Sequence, residues 1–174
     1  MKYTVVTITI IITSFLTADA QVDISKADKS NTWFKVGLNT ALPITDLSET
    51  HNFGIGADIS LQFLETKASG IGVKAGYLNY FSKSAKSDVG ALPLAIMYRF
   101  YPESKGWFAG LEIGYAFLSG LEGTSGGYFI RPQVGTHNDN WNYFAYYDHI
   151  TIEENGTSDL MAVGIGVTYN VRIK

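Results

Sequence analysis

The stretch 53–63, FGIGADISLQF, alternates apolar and small polar residues with a strict period of two. One side carries only apolar residues: Phe53, Ile55, Ala57, Ile59, Leu61 and Phe63. The other side carries Gly54, Gly56, Asp58, Ser60 and Gln62. This period indicates a β-strand with two unlike faces. Because the polar side is small and nearly uncharged, it fits a narrow polar interior, and the apolar side is predicted to face something other than water.

The same alternation recurs along the chain and predicts eight strands. They cover residues 33–42, 53–63, 70–80, 91–101, 107–117, 128–136, 141–153 and 159–173. The segment 141–153 is aromatic on both faces, and we prefer the phase that turns Asn142 and Asp148 inward. Pro93 and Pro132 fall inside two of the segments. They are predicted to mark strand ends or bulges, because proline lacks the N–H that a strand ladder needs.

The number and length of the strands predict a closed barrel. An even number of strands, each near the roughly 9–11 residues needed to cross a bilayer at a tilt, is typical of transmembrane β-barrels. Long connections at 43–52, 81–90 and 118–127 alternate with shorter ones at 64–69, 102–106 and 137–140. The predicted fold class is all-β: an eight-stranded antiparallel up-and-down transmembrane β-barrel over residues 33–174.

The first 32 residues are predicted to lie outside the barrel. Residues 1–20 combine Lys2, an apolar run and Ala18-Asp19-Ala20, which predicts a signal peptide cleaved before Gln21. Residues 21–32 are polar and lack periodicity, as expected of a lead-in segment. The chain has no cysteine, which excludes disulfides and thiol chemistry. Its net charge of −3 argues against a nucleic-acid partner. Phosphate-binding, dinucleotide and closed zinc motifs are missing, so no cofactor and no metal are expected.

Aromatic residues are placed where the two membrane interfaces would lie. With the N-terminus on the periplasmic side, the predicted girdle comprises Trp33, Trp107, Trp141 and Phe100 at one rim and Tyr115 and Tyr128 at the other. Amphipathic aromatic side chains favour both interfaces of a bilayer.

Charged residues in the inward phase are the candidate functional residues. They are Lys35, Asp58, Lys74, Arg99, Glu112, Arg131, Asp148 and Arg172. A barrel of eight strands has an interior just wide enough for its side chains, so these residues are predicted to form a packed, salt-bridged plug. Glu112 with Arg99 and Arg131 on the adjoining strands is the expected cluster. The alternative is a narrow pore, which would prefer anions because basic residues outnumber acidic ones.

The chain resembles the small eight-stranded outer-membrane barrels of the OmpA/OmpX type and the "outer membrane β-barrel domain" family of Gram-negative bacteria. The resemblance rests on the N-terminal signal, strand number, loop alternation and aromatic rims. Residues 166–171, GVTYNV, are also similar to the last-strand signal of the barrel-assembly machinery, although the chain finishes Arg172-Ile173-Lys174 in place of an aromatic residue. The resemblance implies an outer-membrane monomer that contacts membrane lipid and the assembly machinery. Its role would be structural or mediated by surface loops, without catalysis.

Two other functions stay open. His51 with Ser87-Asp88 is similar in disposition to the His, Asp and Ser of the lipid A palmitoyltransferase family, but the order and flanking residues differ, and no catalytic residue is assigned. His137-Asn138-Asp139 does not provide the His-x-Ser of the related lipid A deacylases. A soluble carrier of lipocalin type would turn the apolar faces inward around an apolar ligand, and the period of two alone does not say which face lies inside.

Overall fold

The computed structural model describes residues 32–63, 69–84, 87–102, 105–121, 123–152 and 159–173. The predicted eight-stranded antiparallel barrel is confirmed. Its strands are β1 (Trp33–Pro43), β2 (His51–Phe63), β3 (Ser69–Ser82), β4 (Val89–Phe100), β5 (Gly106–Ser119), β6 (Gly126–His137), β7 (Trp141–Thr151) and β8 (Leu160–Arg172). One short helix, α1 (Leu47–Thr50), lies between β1 and β2. The predicted signal peptide and nearly all of the predicted lead-in lie outside the described residues.

Each strand pairs antiparallel with the next, and the first pairs with the last. The β1–β8 pairing runs from Trp33↔Arg172 to Pro43↔Ala162 without a register shift. Strand order around the sheet is therefore the order in the chain, and the sheet closes on itself. Closure leaves no strand with unpaired backbone groups at an open edge.

The outward face of the barrel is apolar and the inward face contains the charges. Ile165, Leu38 and Ile96 point outward and are more than 60% exposed, whereas Glu112 and Gln62 point inward and are fully buried. The preferred phase of β7 is confirmed, since Asn142 and Asp148 are buried inside. This distribution is the reverse of that in a water-soluble protein.

The interior is not polar throughout. Toward the end of the barrel that carries α1, the buried side chains are mainly apolar or aromatic: Leu78, Tyr80, Val89, Ala116, Leu118, Ile150 and Leu160. The charged side chains lie nearer the middle. The sequence predicted a polar plug, and the structure adds an apolar layer at one end of it.

The connections separate into two sets at opposite ends of the barrel. Among the described residues, 44–50, 83–84, 87–88, 120–121, 123–125, 152 and 159 lie at the loop end, and 101–102, 105 and 138–140 lie at the turn end. The first three connections at the loop end are shorter than predicted, because strands such as β2 and β3 continue beyond the predicted bounds, whereas the last is longer, because β7 ends at Thr151 and β8 begins at Leu160. The described helix is too short to span a membrane.

The two prolines lie inside strands, not at strand ends. Pairs on either side of Pro93 keep one register, from Ala75↔Leu94 to Leu78↔Ala91. The same is true of Pro132, which lies between Ile130↔His149 and Gln133↔Tyr146. The prediction that they mark strand ends or bulges is therefore wrong. Each interrupts the ladder on one side only, because both remain paired on the other, to Ala116 and Leu111.

Candidate functional site: the lumen and the loop-end rim

A chain of alternating charges crosses the middle of the lumen. Lys74 Nζ lies 3.0 Å from Asp58 Oδ2 and 3.1 Å from Glu112 Oε1. Glu112 Oε2 in turn lies 3.7 Å from Arg131 Nη1. Arg131 binds the Asp148 carboxylate in a bidentate manner, with Nη2 donating to Oδ2 at 2.8 Å. Because all five side chains are buried, each charge depends on the next for compensation.

Small residues on the wall allow Lys74 to reach Glu112. Lys74 on β3 pairs with Ala95 on β4, and Ala95 pairs with Gly114 on β5. The register therefore places two small residues on the inward face beside Lys74. The ion pair therefore joins two strands that are not neighbours in the sheet.

Arg99 does not form the ion pair with Glu112 that the sequence suggested. Its guanidinium lies over the rings of Phe108 and Phe144, with centroid distances of 4.9 and 5.5 Å. Arg99 Nη2 donates to Gln133 Oε1 at 3.2 Å, and Gln133 Nε2 donates to Glu112 Oε1 at 2.8 Å. Gln133 thus links the two charges. Within the described residues, Arg99 Nε and Nη1 have no hydrogen-bond partner.

The two remaining candidates lie nearer the turn end, and one of them is outside the lumen. Lys35 is buried and its Nζ donates to the Tyr101 hydroxyl at 3.3 Å. Arg172, the last residue of β8, is exposed, and its guanidinium lies 5.8 Å from the ring centre of Trp33. Arg172 shares the inward phase of Thr168 and Asn170 on β8 and lies at the end of the strand.

The predicted girdle residues occupy both ends of the barrel. Trp107, Trp141, Tyr115 and Tyr128 are exposed on the outward face. Trp107 contacts Phe100 edge-on, and Tyr115 contacts Tyr128 in the same way. Trp33 differs, since it shares the phase of the buried Lys35 on β1 and therefore belongs to the turn-end opening, not to the outer wall.

His51 lies close to the Ser87-Asp88 pair at the loop end. Its imidazole contacts the backbone oxygen of Ser87 and not the serine hydroxyl that a catalytic arrangement would require. His51 is buried; its Nε2 contacts the backbone oxygen of Ser87 at 3.2 Å and its Nδ1 contacts Thr50 Oγ1 at 2.9 Å. Asp88 accepts hydrogen bonds from the Ser82 backbone N–H and from Asn79, which lower its pKa. Because both imidazole nitrogens are engaged and the serine contributes its carbonyl, the cluster ties two loops together.

A second histidine at the same end has a different environment. His149 Nε2 lies 2.8 Å from Asp159 Oδ2 and 3.5 Å from Thr151 Oγ1. The His149 hydrogen bond, followed by one from the Ile152 backbone N–H, holds the pKa of Asp159 below its ordinary value. Sequence reasoning missed this pair, because it depends on the β7–β8 register, which brings the residue before β8 beside the end of β7. No group of three potential metal ligands occurs among the described residues.

No protein-family model and no curated protein sequence matches the chain. Solved structures do match over most of its length. The outer membrane enzyme PagL is 15% identical, with a TM-score of 0.57 over 77% of this chain and 97% of that one. Neisserial surface protein A (NspA) is 15% identical, with a TM-score of 0.53 over 82% and 97%. The N-terminal barrel domain of Pseudomonas aeruginosa OprF is 14% identical, with a TM-score of 0.51 over 82% and 98%. At these identities the likeness concerns the fold, and the chain has the architecture of the small eight-stranded outer-membrane β-barrels.

Proposed function

We propose that this protein spans the outer membrane as a monomeric, non-conducting barrel whose role is structural or mediated by its loop end, without catalysis. The observation that carries the proposal is the pairing of an apolar outer wall with a lumen filled by ion pairs and aromatic rings. The wall fits membrane lipid as its surroundings, and the barrel-assembly machinery would insert it. A lipocalin-like carrier would need the apolar side chains inside, and they lie outside.

Gel mobility with and without boiling tests the membrane-spanning barrel. A closed barrel extracted from outer membranes in detergent should migrate faster before boiling than after it, because the unboiled sheet stays compact. A protein found in the soluble fraction, with one mobility under both conditions, would contradict the proposal.

Conductance across a planar bilayer distinguishes the filled barrel from the anion-preferring pore. The contacts of Lys74 and Arg131 with Glu112 support a lumen that is closed to ions. The wild-type protein should give no discrete channel openings, in contrast to a porin measured in the same chamber. Reproducible anion-selective openings in the wild type would establish the pore instead.

A second candidate function is hydrolysis of an ester in a membrane lipid, favoured by His149 and Asp159. A carboxylate only accepts hydrogen bonds, so Nε2 is the donor to Asp159, and in a neutral ring Nδ1 then holds the lone pair. Such a nitrogen is able to take a proton from water as the water adds to an ester carbonyl, and to return it to the departing alkoxide. His149 lies on the outward phase of β7 at the edge of the apolar wall and Asp159 lies just before β8, and the similar structure PagL is described as an enzyme.

Mass spectrometry of lipids incubated with the protein tests this second function. Wild-type protein should release fatty acid, whereas His149→Gln and Asp159→Asn should not. Thr151→Ala is the control, because it removes a neighbouring hydroxyl and preserves both members of the pair, and it should leave the release of fatty acid unchanged. An unchanged lipid spectrum with wild-type protein excludes the hydrolase and leaves the structural role.

A further inference from the structure

A groove opens on the outer surface at the loop end, where β1, β2 and β8 meet the loop before α1. It encloses about 490 Å³. One wall is apolar and consists mainly of Leu42, Phe53 and Val163. Leu42 and Val163 are directly paired across the β1–β8 seam, and both are exposed. This wall, which we call the apolar wall of the rim groove, continues the outward apolar surface of the barrel without a break.

The opposite wall is polar and includes Ser48, His51 and Lys83. Lys83 Nζ donates to the backbone oxygen of Ser48 at 2.6 Å, and the Lys83 backbone N–H donates to Thr50 O at 2.8 Å. His51 holds the same loop through its contact with the Ser87 backbone oxygen. These bonds join the first two loops, so the ammonium group is held in place before any ligand arrives. Such pre-ordering lowers the entropy lost on binding.

The charge among the described residues that line the rim groove is positive. Lys83 contributes an ammonium group, and no acidic side chain is found among the described residues that line the groove. An ammonium group has three N–H donors, so the bond to Ser48 leaves donors for a ligand. A ligand that matches both walls carries an anionic group and a long apolar chain. Lysines near a membrane surface attract anionic lipid headgroups in this way.

We propose that the rim groove binds a membrane lipid with an anionic phosphate headgroup, the phosphate at Lys83 and an acyl chain along Leu42 and Val163. The proposal rests on the membrane location proposed above. The lipid, and not a soluble phosphate, is the occupant, because the apolar wall is as much a part of the groove as the lysine.

Native mass spectrometry of protein released from vesicles tests the groove. The vesicles contain phosphatidylcholine with a minor fraction of phosphatidylglycerol, which have similar chains and different headgroup charge. Wild-type protein should retain phosphatidylglycerol preferentially. Lys83→Gln should reduce that preference about fivefold, the effect of one lysine near a charged surface. Lys83→Arg should preserve most of it.

Lys105→Gln is the matched control, because Lys105 lies at the turn end and already pairs with Asp139 at 2.6 Å. It should leave lipid retention unchanged. The proposal would be refuted if Lys83→Gln and Lys105→Gln lost phosphatidylglycerol retention equally, or if Lys83→Gln lost none. Displacement of the lipid by glycerol phosphate would overturn it too, because the site would then recognise phosphate alone.

Gel mobility of every variant, boiled and unboiled, separates the two proposals. If the unboiled wild-type barrel shows no mobility shift, the membrane proposal fails and the groove fails with it. If all variants shift normally and Lys83→Gln retains phosphatidylglycerol like the wild type, only the groove is refuted.

Discussion

Glu112 has the most demanding position in the lumen, since it faces Lys74, Arg131 and Gln133 at once. Replacing it by glutamine removes a negative charge that Lys74 and Arg131 share, and leaves them with Asp58 and Asp148 as their remaining ionic partners in the described lumen. Breaking a buried ion pair from one side costs about 3–5 kcal/mol of unfolding free energy. Glu112→Gln should therefore unfold at a markedly lower urea concentration in lipid vesicles.

Lys105→Gln is the comparison for Glu112→Gln, because it breaks an ion pair that is largely exposed. Exposed pairs contribute about 0–1 kcal/mol. Equal stability losses in the two variants would mean that the lumen is wetter than the packing of its side chains indicates.

Asp159 gives a prediction about acidity. Its pKa in the folded protein lies below the ordinary carboxylate value, because His149 and the Ile152 N–H donate hydrogen bonds to it. Ionised Asp159 therefore stabilises the end of β7 above the pKa of the unfolded chain, and that contribution is lost as the pH falls through the lower, folded value. The Ile152 amide NMR signal should move with a midpoint below that of a model carboxylate, about 3.9. Asp159→Asn should abolish the movement; a midpoint at or above that value would contradict the hydrogen bonds.

The position of Gly114 on β5 leaves no room for a side chain. A Cβ atom there would lie 1.9 Å from the Leu94 backbone oxygen and 2.6 Å from the Ala95 Cα, and neither atom is able to move without the strand. Gly114→Ala should cost about 1–3 kcal/mol, as overpacking usually does. Gly76, also inward, is the control, because its Cβ would meet nothing closer than the Asp58 Cβ at 3.2 Å. Urea unfolding measures the loss of unfolding free energy in Gly114→Ala and Gly76→Ala. Equal losses would mean that the barrel wall shifts to accommodate the methyl group at Gly114.

The strands were predictable because each one carries its own alternation, independent of its neighbours. The inward face of β7 was also predictable from the sequence, because Asn142 and Asp148 are polar. The partners of the charges followed only in part, because some of them lie two strands apart. Of the two expected partners of Glu112, Arg131 forms an ion pair with it and Arg99 does not. Its shorter ion pair is with Lys74, which lies on a strand that is not adjacent. The His149–Asp159 pair at the loop end was not predictable either, because it depends on the register between β7 and β8.

The stability cost of an arginine on the outer wall distinguishes a barrel that faces lipid from one that faces water. Ile165 lies near the middle of β8 and is 64% exposed. An arginine at the bilayer midplane of a barrel costs about 2–4 kcal/mol, and near the interface about 0–1 kcal/mol. Ile165→Arg should therefore be strongly destabilising in vesicles, and Tyr128→Arg, at the loop-end rim and equally exposed, should cost much less. Similar small effects at both positions would mean that the wall contacts water.

The seam between β1 and β8 has a consequence for how the molecule forms. Every other strand pair joins neighbours in the chain, but the seam joins Trp33 to Arg172 across nearly the whole sequence. Contacts of such long range require the largest loss of chain entropy before they give any stabilisation, so they slow folding. Seven hairpins are able to assemble while the sheet is still open, and the ring closes last. A version of the chain that joins the ends of β1 and β8 covalently and begins within residues 83–88 would turn this seam into a local hairpin and make β3–β4 the long-range seam that closes last, with the same final barrel.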